Sequence, residues 1–343
     1  MKKFNVALVG CGRIASSHFE SLKFLSHDCH LTAVCDCVPV RAAEAAEKYG
    51  AKAYTDYDKM LKEAEADIVA IATPSGMHPE MGVKAAMAGK HVISEKPMAV
   101  SLEGADKLIK ACHDAKVSLF VVKQNRLNPT MQLLKRAVMK GRFGNIYAIH
   151  VNVFWQRPQS YYDLAPWRGT KVMDGGAFLN QASHYVDSLH WLGGEIISVS
   201  GYLGTLARKI ETEDTGSAIL RFASGAFGSM NVTMLTYPKN LEGSITVLGE
   251  NGTVRVGGVA INQIQHWEFS DYDDDDGLIE KSNYNPPNVY GHGHIPYYKN
   301  VFAALRGEQT PETDGNEGRK SLEVILAIYK SSEEGRSISL PLK

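Results

Sequence analysis

The 343-residue sequence is short of cysteine, of net charge and of long apolar runs. Its five cysteines, Cys11, Cys29, Cys35, Cys37 and Cys112, lie in the first third of the chain, and an odd number cannot pair completely. No second Cys or His pair stands at zinc spacing, so free thiols in a reducing compartment are expected, not a disulfide framework or a zinc site. A formal net charge of -1 gives no broad attraction to nucleic acid or to an anionic membrane. Any anionic ligand must therefore be met by local groups. No apolar stretch approaches the roughly 20 residues that cross a bilayer. Met1-Lys2-Lys3-Phe4 runs straight into a β-rich segment instead of a signal peptide, so the expected location is the cytoplasm. Repeats and low-complexity linkers are absent too. The length exceeds the usual size of one hydrophobic core, and two domains are expected.

The first half alternates strand and helix. Phe4-Asn5-Val6-Ala7-Leu8-Val9 leads into Gly10-Cys11-Gly12-Arg13-Ile14-Ala15 and then a helical pattern. In that setting G-x-G-x-x-A has a mechanism: Gly10 makes the tight turn, Gly12 admits a pyrophosphate, and Ala15 lets helix pack on strand. Free N–H groups at the helix start, around Arg13 and Ile14, face the phosphates. The second strand ends in Asp36, placed to accept from ribose hydroxyls and repel a 2′-phosphate, which favours NAD over NADP; its other reading is a helix cap or turn residue. A third buried run stops at Thr73-Pro74-Ser75-Gly76-Met77-His78, so Thr73, Ser75 and His78 line the crevice, unless Thr-Pro-Ser is plain turn chemistry. His91-Val92-Ile93-Ser94 then delivers Glu95-Lys96-Pro97 to a strand end. Lys96 reads as a catalytic amine, against the bland reading of a surface lysine in a turn. The expected fold of residues 1–123 is a doubly wound parallel sheet.

Gln124-Asn125-Arg126-Leu127-Asn128-Pro129 is unusually polar for a connection and marks the entry to a second domain, residues 124–343. Later strands joined by short turns predict an α+β domain with an open, largely antiparallel sheet. An amphipathic helix over 322–331 closes the chain and is expected to pack back on the first domain. The most chemical segment holds Arg157, Tyr161, Tyr162, Trp167 and Arg168, then Asp174-Gly175-Gly176 and a helical stretch with Asn180, His184 and Asp187. A spacing of four puts Asn180 and His184 on one helical face, where His184 is either a ligand or a hydrogen-bonded core histidine. Asp271-Tyr272-Asp273-Asp274-Asp275-Asp276-Gly277 lacks the closing Glu of a calcium loop and reads as a solvated hairpin tip. Gly291-His292-Gly293-His294 reads as a mobile ligand loop in preference to a metal pair, and no metal is expected.

Taken in order, Gly10-x-Gly12-x-x-Ala15, Asp36, Thr73-Pro74 with His78, Glu95-Lys96-Pro97 and Asn180-x-x-x-His184 resemble the glucose-fructose oxidoreductase, inositol dehydrogenase and MocA family over nearly the whole chain. The resemblance implies a Rossmann domain, then an α/β domain whose open sheet mediates dimers or tetramers. It also implies that Lys96 and His184 flank the reacting carbinol, and that the Lys96-Pro97 bond is cis. One departure matters. Many members carry Asp one turn before the histidine, where this chain has Asn180; a neutral amide takes no proton, so acid-base duty shifts to Lys96 and His184.

That substitution, with Val122-Lys123-Gln124-Asn125-Arg126, Tyr161-Tyr162, Trp167-Arg168-Gly169 and residues 174–187, is similar to a subgroup that oxidises the C3 hydroxyl of UDP-N-acetylglucosaminuronate in bacterial surface-polysaccharide (O-antigen) biosynthesis. The resemblance places NAD on Gly10, Gly12, Arg13, Ile14, Ala15, Asp36, Thr73, Ser75, His78, Glu95, Lys96, Gln124, Trp167 and Arg168. It places the UDP-sugar on Lys96, Asn125, Arg126, Arg157, Tyr161, Tyr162, Asn180 and His184. Arg126, Arg157 and Arg168 would meet the diphosphate or uronate, or else form structural ion pairs; the tyrosines would pack on sugar or uracil, or in the core. Reoxidation by 2-oxoglutarate and a homo-oligomer are implied as well. The rivals are a dehydrogenase of an inositol or unactivated aldose, and a non-catalytic NAD-binding sensor, against which Lys96 and His184 argue.

Overall fold

The computed structural model describes residues 2–286, 291 and 293–342. The chain forms two compact units, Met1–Lys123 with His294–Arg319, and Gln124–Gly293 with Lys320–Lys343.

In the first unit six strands, β1 (Phe4–Val9), β2 (Cys29–Cys35), β3 (Lys52–Tyr54), β4 (Ile68–Ile71), β5 (His91–Ser94) and β6 (Leu119–Val121), lie in the order β3-β2-β1-β4-β5-β6. Every neighbouring pair is parallel. Val6, Leu8, Ile68, Ile71, Val92 and Ile93 are fully buried, as strands covered on both faces require. The order reverses between β1 and β4, and at such a switch point the loops leaving the carboxyl ends part to open a ligand crevice. Residues from the end of the chain complete this unit. Phe302 of helix His294–Leu305, which the sequence pattern does not announce, stacks on Phe4 with centroids 5.6 Å apart. The Thr313 hydroxyl donates to the Val121 carbonyl at 2.6 Å.

The second unit carries an eight-stranded sheet: β7 (Ile146–Phe154), β8 (Ile196–Gly204), β9 (Thr215–Phe222), β10 (Phe227–Thr233), β11 (Glu242–Gly249), β12 (Gly252–Gly257), β13 (Gln263–Phe269) and β14 (Ile338–Ser339). Its order is β13-β12-β11-β7-β10-β9-β8-β14, with β7 and β10 parallel and the other neighbours antiparallel. Strict alternation along β9 buries Ala218, Leu220 and Phe222 and leaves Ile219 exposed, the pattern of a sheet with one face on a core and one face open. The closing helix runs from Gly315 to Glu334, longer than expected. The acidic run corrects the sequence reading of a solvated hairpin tip. It forms a capped turn, Asp274–Leu278, whose acids are held by Arg136, Lys140 and Arg142, with the Trp267 indole donating to Asp276 at 2.7 Å. No helix among the described residues is long and apolar enough to cross a membrane.

Candidate active site

The carboxyl end of β1 shows why its glycines are there. Gly10 has φ +90°, and a Cβ on it would stand 2.6 Å from the Ala72 carbonyl oxygen at the end of β4, so neither the conformation nor the space admits a side chain. Gly12 is the opposite case: a Cβ there would meet nothing within 4 Å. The protein's own packing does not ask for glycine at that position, whereas close approach of a ligand does. Helix Ala15–Phe24 starts beside it with Ile14 as its cap residue, no side-chain cap and no acid in its first turn, which suits a phosphate. Asp36 is buried and rigidly held, Oδ2 accepting from the Cys11 N–H and Oδ1 from the Val38 N–H, each at 2.8 Å. Its carboxylate thus sits beside the glycine loop, while Arg13 and Arg41 are exposed. These residues fit a dinucleotide with a free 2′-hydroxyl.

The backbone around Lys96 is held from both sides. Its N–H donates to Glu95 Oε2 at 3.0 Å, and the Lys96-Pro97 peptide is cis. The Pro97 carbonyl faces His78 Nδ1 at 2.8 Å, and His78 Nε2 faces the Thr73 carbonyl at 2.8 Å. His78 therefore stands between the turn after β4 and the turn after β5, and burial pushes it below its ordinary pKa, so that the neutral ring donates to one of the two carbonyls. The Thr73 hydroxyl donates to the Met81 sulfur at 3.5 Å, and Ser75 is buried at the start of a short 3₁₀ turn.

Glu95 is the partner of a network that sequence spacing does not reveal. Burial alone would raise its pKa, but the hydrogen bond from His18 and the nearby His294 ring hold it well below the usual carboxylate range. An ionised carboxylate can only accept, so His18 Nε2 carries the proton toward Glu95 Oε1, 3.0 Å away, while His18 Nδ1 pairs with the Tyr298 hydroxyl at 2.7 Å. His294 Nε2 stands 3.8 Å from the same oxygen. His18, Glu95 and His294 offer three metal-ligand atoms within 4.8 Å of one another, of which only His18 and Glu95 are joined by a hydrogen bond among the described residues. His294 is buried at the start of its helix, not on a mobile loop, and His292 lies outside the described residues.

In the second unit the turn Gln124–Leu127 buries Gln124, Asn125 and Arg126. Among the described residues Gln124 Oε1 and Asn125 Oδ1 have no hydrogen-bond partner, an expense of roughly 1–3 kcal/mol each that a polar ligand would relieve. Arg126 forms a buried fork with Asp187, Nε to Oδ2 at 2.7 Å and Nη2 to Oδ1 at 2.8 Å, which is the ion-pair role weighed from the sequence. The loop residues do come together. Arg157 lies over the rings of Trp155 and Tyr161 at 5.0 and 5.3 Å, and Arg168 over Tyr161 and Trp167 at 4.3 and 4.6 Å. Tyr162 is buried at an edge-on contact with Tyr161. Gln181, not singled out by sequence, links the cluster, donating to the Tyr161 hydroxyl and to Asn180 Oδ1, each at 3.1 Å, and accepting from Arg157 Nε at 3.0 Å.

The expectation of one α-helix through 180–187 needs correction. Ala177–Gln181 is a π-helical turn, and the α-helix starts afresh at Ser183–Gly193 with His184 buried in its first turn. Wide turns of this kind concentrate at functional sites.

Residues 4–123 match the family described as oxidoreductase family, NAD-binding Rossmann fold, and residues 135–340 match its C-terminal alpha/beta domain. The chain belongs to this oxidoreductase family. Among solved structures, it is similar to the WlbA dehydrogenase of Chromobacterium violaceum in complex with NADH and UDP-GlcNAcA, with 55% identity, a TM-score of 0.95, and coverage of 100% of this chain and 97% of that one. It is also similar to the WlbA dehydrogenase of Bordetella pertussis in complex with NADH and UDP-GlcNAcA, with 53% identity, a TM-score of 0.97, and coverage of 100% and 99%. The myo-inositol 2-dehydrogenase of Thermotoga maritima is 28% identical, over 98% of each chain. As a member of this family the chain is an NAD-dependent oxidoreductase, and Gly10, Gly12 and Asp36 are the groups of its Rossmann domain that fit the cofactor.

Proposed function

We propose that the protein oxidises the C3 hydroxyl of UDP-N-acetylglucosaminuronate to the 3-keto sugar, with NAD as the oxidant, in the synthesis of a bacterial surface polysaccharide. The observation that carries this reading is full-length similarity above half identity to a dehydrogenase captured with NADH and UDP-GlcNAcA, joined to a glycine loop and a buried Asp36 that suit NAD. When bound, the nicotinamide supplies the acceptor for the hydride that leaves the sugar carbon.

The chain's own residues handle the proton and the charge. A neutral alcohol releases hydride poorly, so a base must share its proton as the carbonyl forms. His184 is assigned that role, since Asn180 has no basic group. Lys96 is assigned the charge on the oxygen, its ammonium stabilising a developing alkoxide. The Glu95 carboxylate and the Pro97 carbonyl fix the backbone on each side of Lys96, which orients the amine without touching substrate. Asn180 is assigned a hydrogen bond to the sugar, and Arg157, Tyr161 and Arg168 the charged and aromatic contacts of the UDP-sugar acid. Gln124 and Asn125 are assigned polar ligand contacts through side-chain carbonyls that have no partner among the described residues. The reading extends to reoxidation of the reduced cofactor by 2-oxoglutarate and to a cytoplasmic homo-oligomer.

A substrate panel tests it. NADH absorbance is to rise with UDP-N-acetylglucosaminuronate and not with myo-inositol, a free aldose or the unlinked uronate, and Lys96→Ala is to abolish turnover while NAD still binds. Turnover of myo-inositol without the UDP-sugar would overturn the substrate assignment; unaltered turnover in Lys96→Ala would overturn the mechanism. Adding 2-oxoglutarate to the NADH-loaded protein and following hydroxyglutarate tests the reoxidation step separately.

A further inference from the structure

Two buried carboxyl groups bracket the glycine pair that opens the π-helical turn. Asp174 accepts from the Gly169 N–H at 2.7 Å with Oδ2 and from the Asn180 side-chain amide with Oδ1. The Asn180 amide thereby turns its NH₂ toward Asp174 and leaves Oδ1 as its acceptor, where Gln181 donates. Asp174 thus sets which end of the Asn180 amide is offered to a ligand.

Glu213 lies on the other side. Its Oε1 accepts from the Phe178 N–H at 2.8 Å and meets the Tyr329 hydroxyl at 3.0 Å. A Cβ on Gly176, which has φ +95°, would come within 2.1 Å of Oε2, so only glycine lets the turn rest against this carboxyl. Tyr329 reaches two acceptors with one proton: its hydroxyl contacts the Gly175 carbonyl as well as Glu213, and it accepts from the Leu179 N–H at 3.3 Å. With Glu213 ionised, the tyrosine proton can serve Glu213 or Gly175 but not both. With Glu213 protonated, its O–H donates to the Tyr329 oxygen, the Tyr329 O–H donates to Gly175, and every contact is satisfied.

We propose that Glu213, acting through Tyr329 and beside Asp174, is a positioning residue for Asn180, and that its proton completes the hydrogen-bond chain holding Gly175 and the 177–181 turn in the substrate-binding geometry. This rests on the reading that Asn180 contacts the sugar. The titratable groups facing Glu213 are Asp174 from the preceding segment and Tyr329 from the closing helix. Burial, with Asp174 adding to it, pushes Glu213 up to about 7 against hydrogen bonds that lower it, so its charge changes across the neutral range.

The test measures kcat and KM for UDP-N-acetylglucosaminuronate from about pH 6 to 9, with hydrogen exchange of residues 175–181 over the same range. In the unmodified protein KM is to rise about five- to tenfold as Glu213 loses its proton, the worth of one hydrogen bond. Exchange of the Phe178 and Leu179 amides, corrected for the intrinsic pH dependence, is to quicken in the same interval. Glu213→Gln keeps a donor for Tyr329 and an acceptor for Phe178, so both profiles are to flatten. Tyr329→Phe breaks the chain, so KM is to be high at every pH. A Glu213→Gln variant that keeps the neutral transition in KM overturns the proposal, and so does exchange that ignores pH. Should the UDP-sugar prove not to be a substrate, the substrate assignment alone fails. The exchange profiles then decide, supporting the proposal if the transition is present in the unmodified protein and absent in Glu213→Gln.

Discussion

Replacing Asp187 with Asn puts the buried Arg126 pair to a quantitative test. The side chains of Arg126 and Asp187 are 3% and 2% exposed, so water contributes almost nothing to either charge. Both carboxylate oxygens are used by the guanidinium fork, at 2.7 and 2.8 Å. An amide of the same shape offers one acceptor and turns two N–H groups toward a cation, so the guanidinium loses the charge of the carboxylate. Removing one partner of such a pair costs about 3–5 kcal/mol, whereas exchanging both for apolar residues of similar volume is often close to neutral. Asp187→Asn is therefore expected to lose about that much, and the double variant Arg126→Met, Asp187→Leu to recover most of it. Urea denaturation followed by tryptophan fluorescence is the suitable assay. All four tryptophans, Trp155, Trp167, Trp191 and Trp267, belong to the second unit, and Trp191 lies 5.5 Å from the Arg126 guanidinium carbon. A cost below about 1 kcal/mol for Asp187→Asn, with KM for the UDP-sugar raised instead, would show that Arg126 answers to the ligand and not to Asp187.

The two glycines of the β1 turn are expected to separate stability from cofactor binding. Gly10→Ala faces both the 2.6 Å approach to the Ala72 carbonyl and a left-handed φ, so denaturation should show a loss of at least about 1–3 kcal/mol. Gly12→Ala meets nothing in the protein, so its stability should stay within about 0.5 kcal/mol while calorimetry shows weakened NAD binding; equal NAD affinity would refute the ligand explanation of that glycine. Glu213 also makes a stability prediction. Its folded pKa, about 7, is raised above the ordinary 4.5, so the folded state holds the proton more tightly, and that contribution is full below about pH 4.5 and lost as pH rises through 7. Glu213→Gln should match the unmodified protein near pH 5 and exceed it by up to about 3 kcal/mol near pH 8, the differential of some 2.5 pKa units. Parallel pH profiles in urea would sink this.

How much of the fold and of the site is legible in the sequence depends on how far apart the cooperating residues stand. Parallel strands buried on both faces write themselves as unbroken apolar runs, so β1, β4 and β5 can be read directly, and with them the ends that carry Gly10, Thr73 and Lys96. The glycine motif and Asp36 are legible because each acts through its own backbone neighbourhood. By contrast β3 has three residues with two of them exposed, and β13 is an edge strand with little burial, so neither has a pattern to find. Helix His294–Leu305 hides behind a Gly-His-Gly-His opening and a proline in its first turn, where proline is tolerated. The acidic run misleads for a related reason: seven successive residues look solvated until Arg136, Lys140 and Arg142, from a distant segment, are placed beside them.

The same distance rule separates the residues proposed to act from those proposed to aim them. Lys96, His184 and Asn180 stand out by residue type, but the groups proposed to orient Lys96 and Asn180 come from elsewhere in the chain: His18 is 77 residues from Glu95, Tyr298 is 280 residues from His18, and Tyr329 is 116 from Glu213. Local spacing also misplaces the Asn180 turn, since a spacing of four from Asn180 to His184 makes one helical turn only if the helix is uninterrupted. It is interrupted at Ala182, between the π-turn and the α-helix that starts at Ser183, and Glu213 and Tyr329 accept from the Phe178 and Leu179 N–H groups of that turn. A π-turn fed by donors and acceptors from β9's approach and the closing helix is a tertiary object. Its shape follows from the partners, which is why the position of Asn180, and not its identity, is what the proposed pH experiment interrogates.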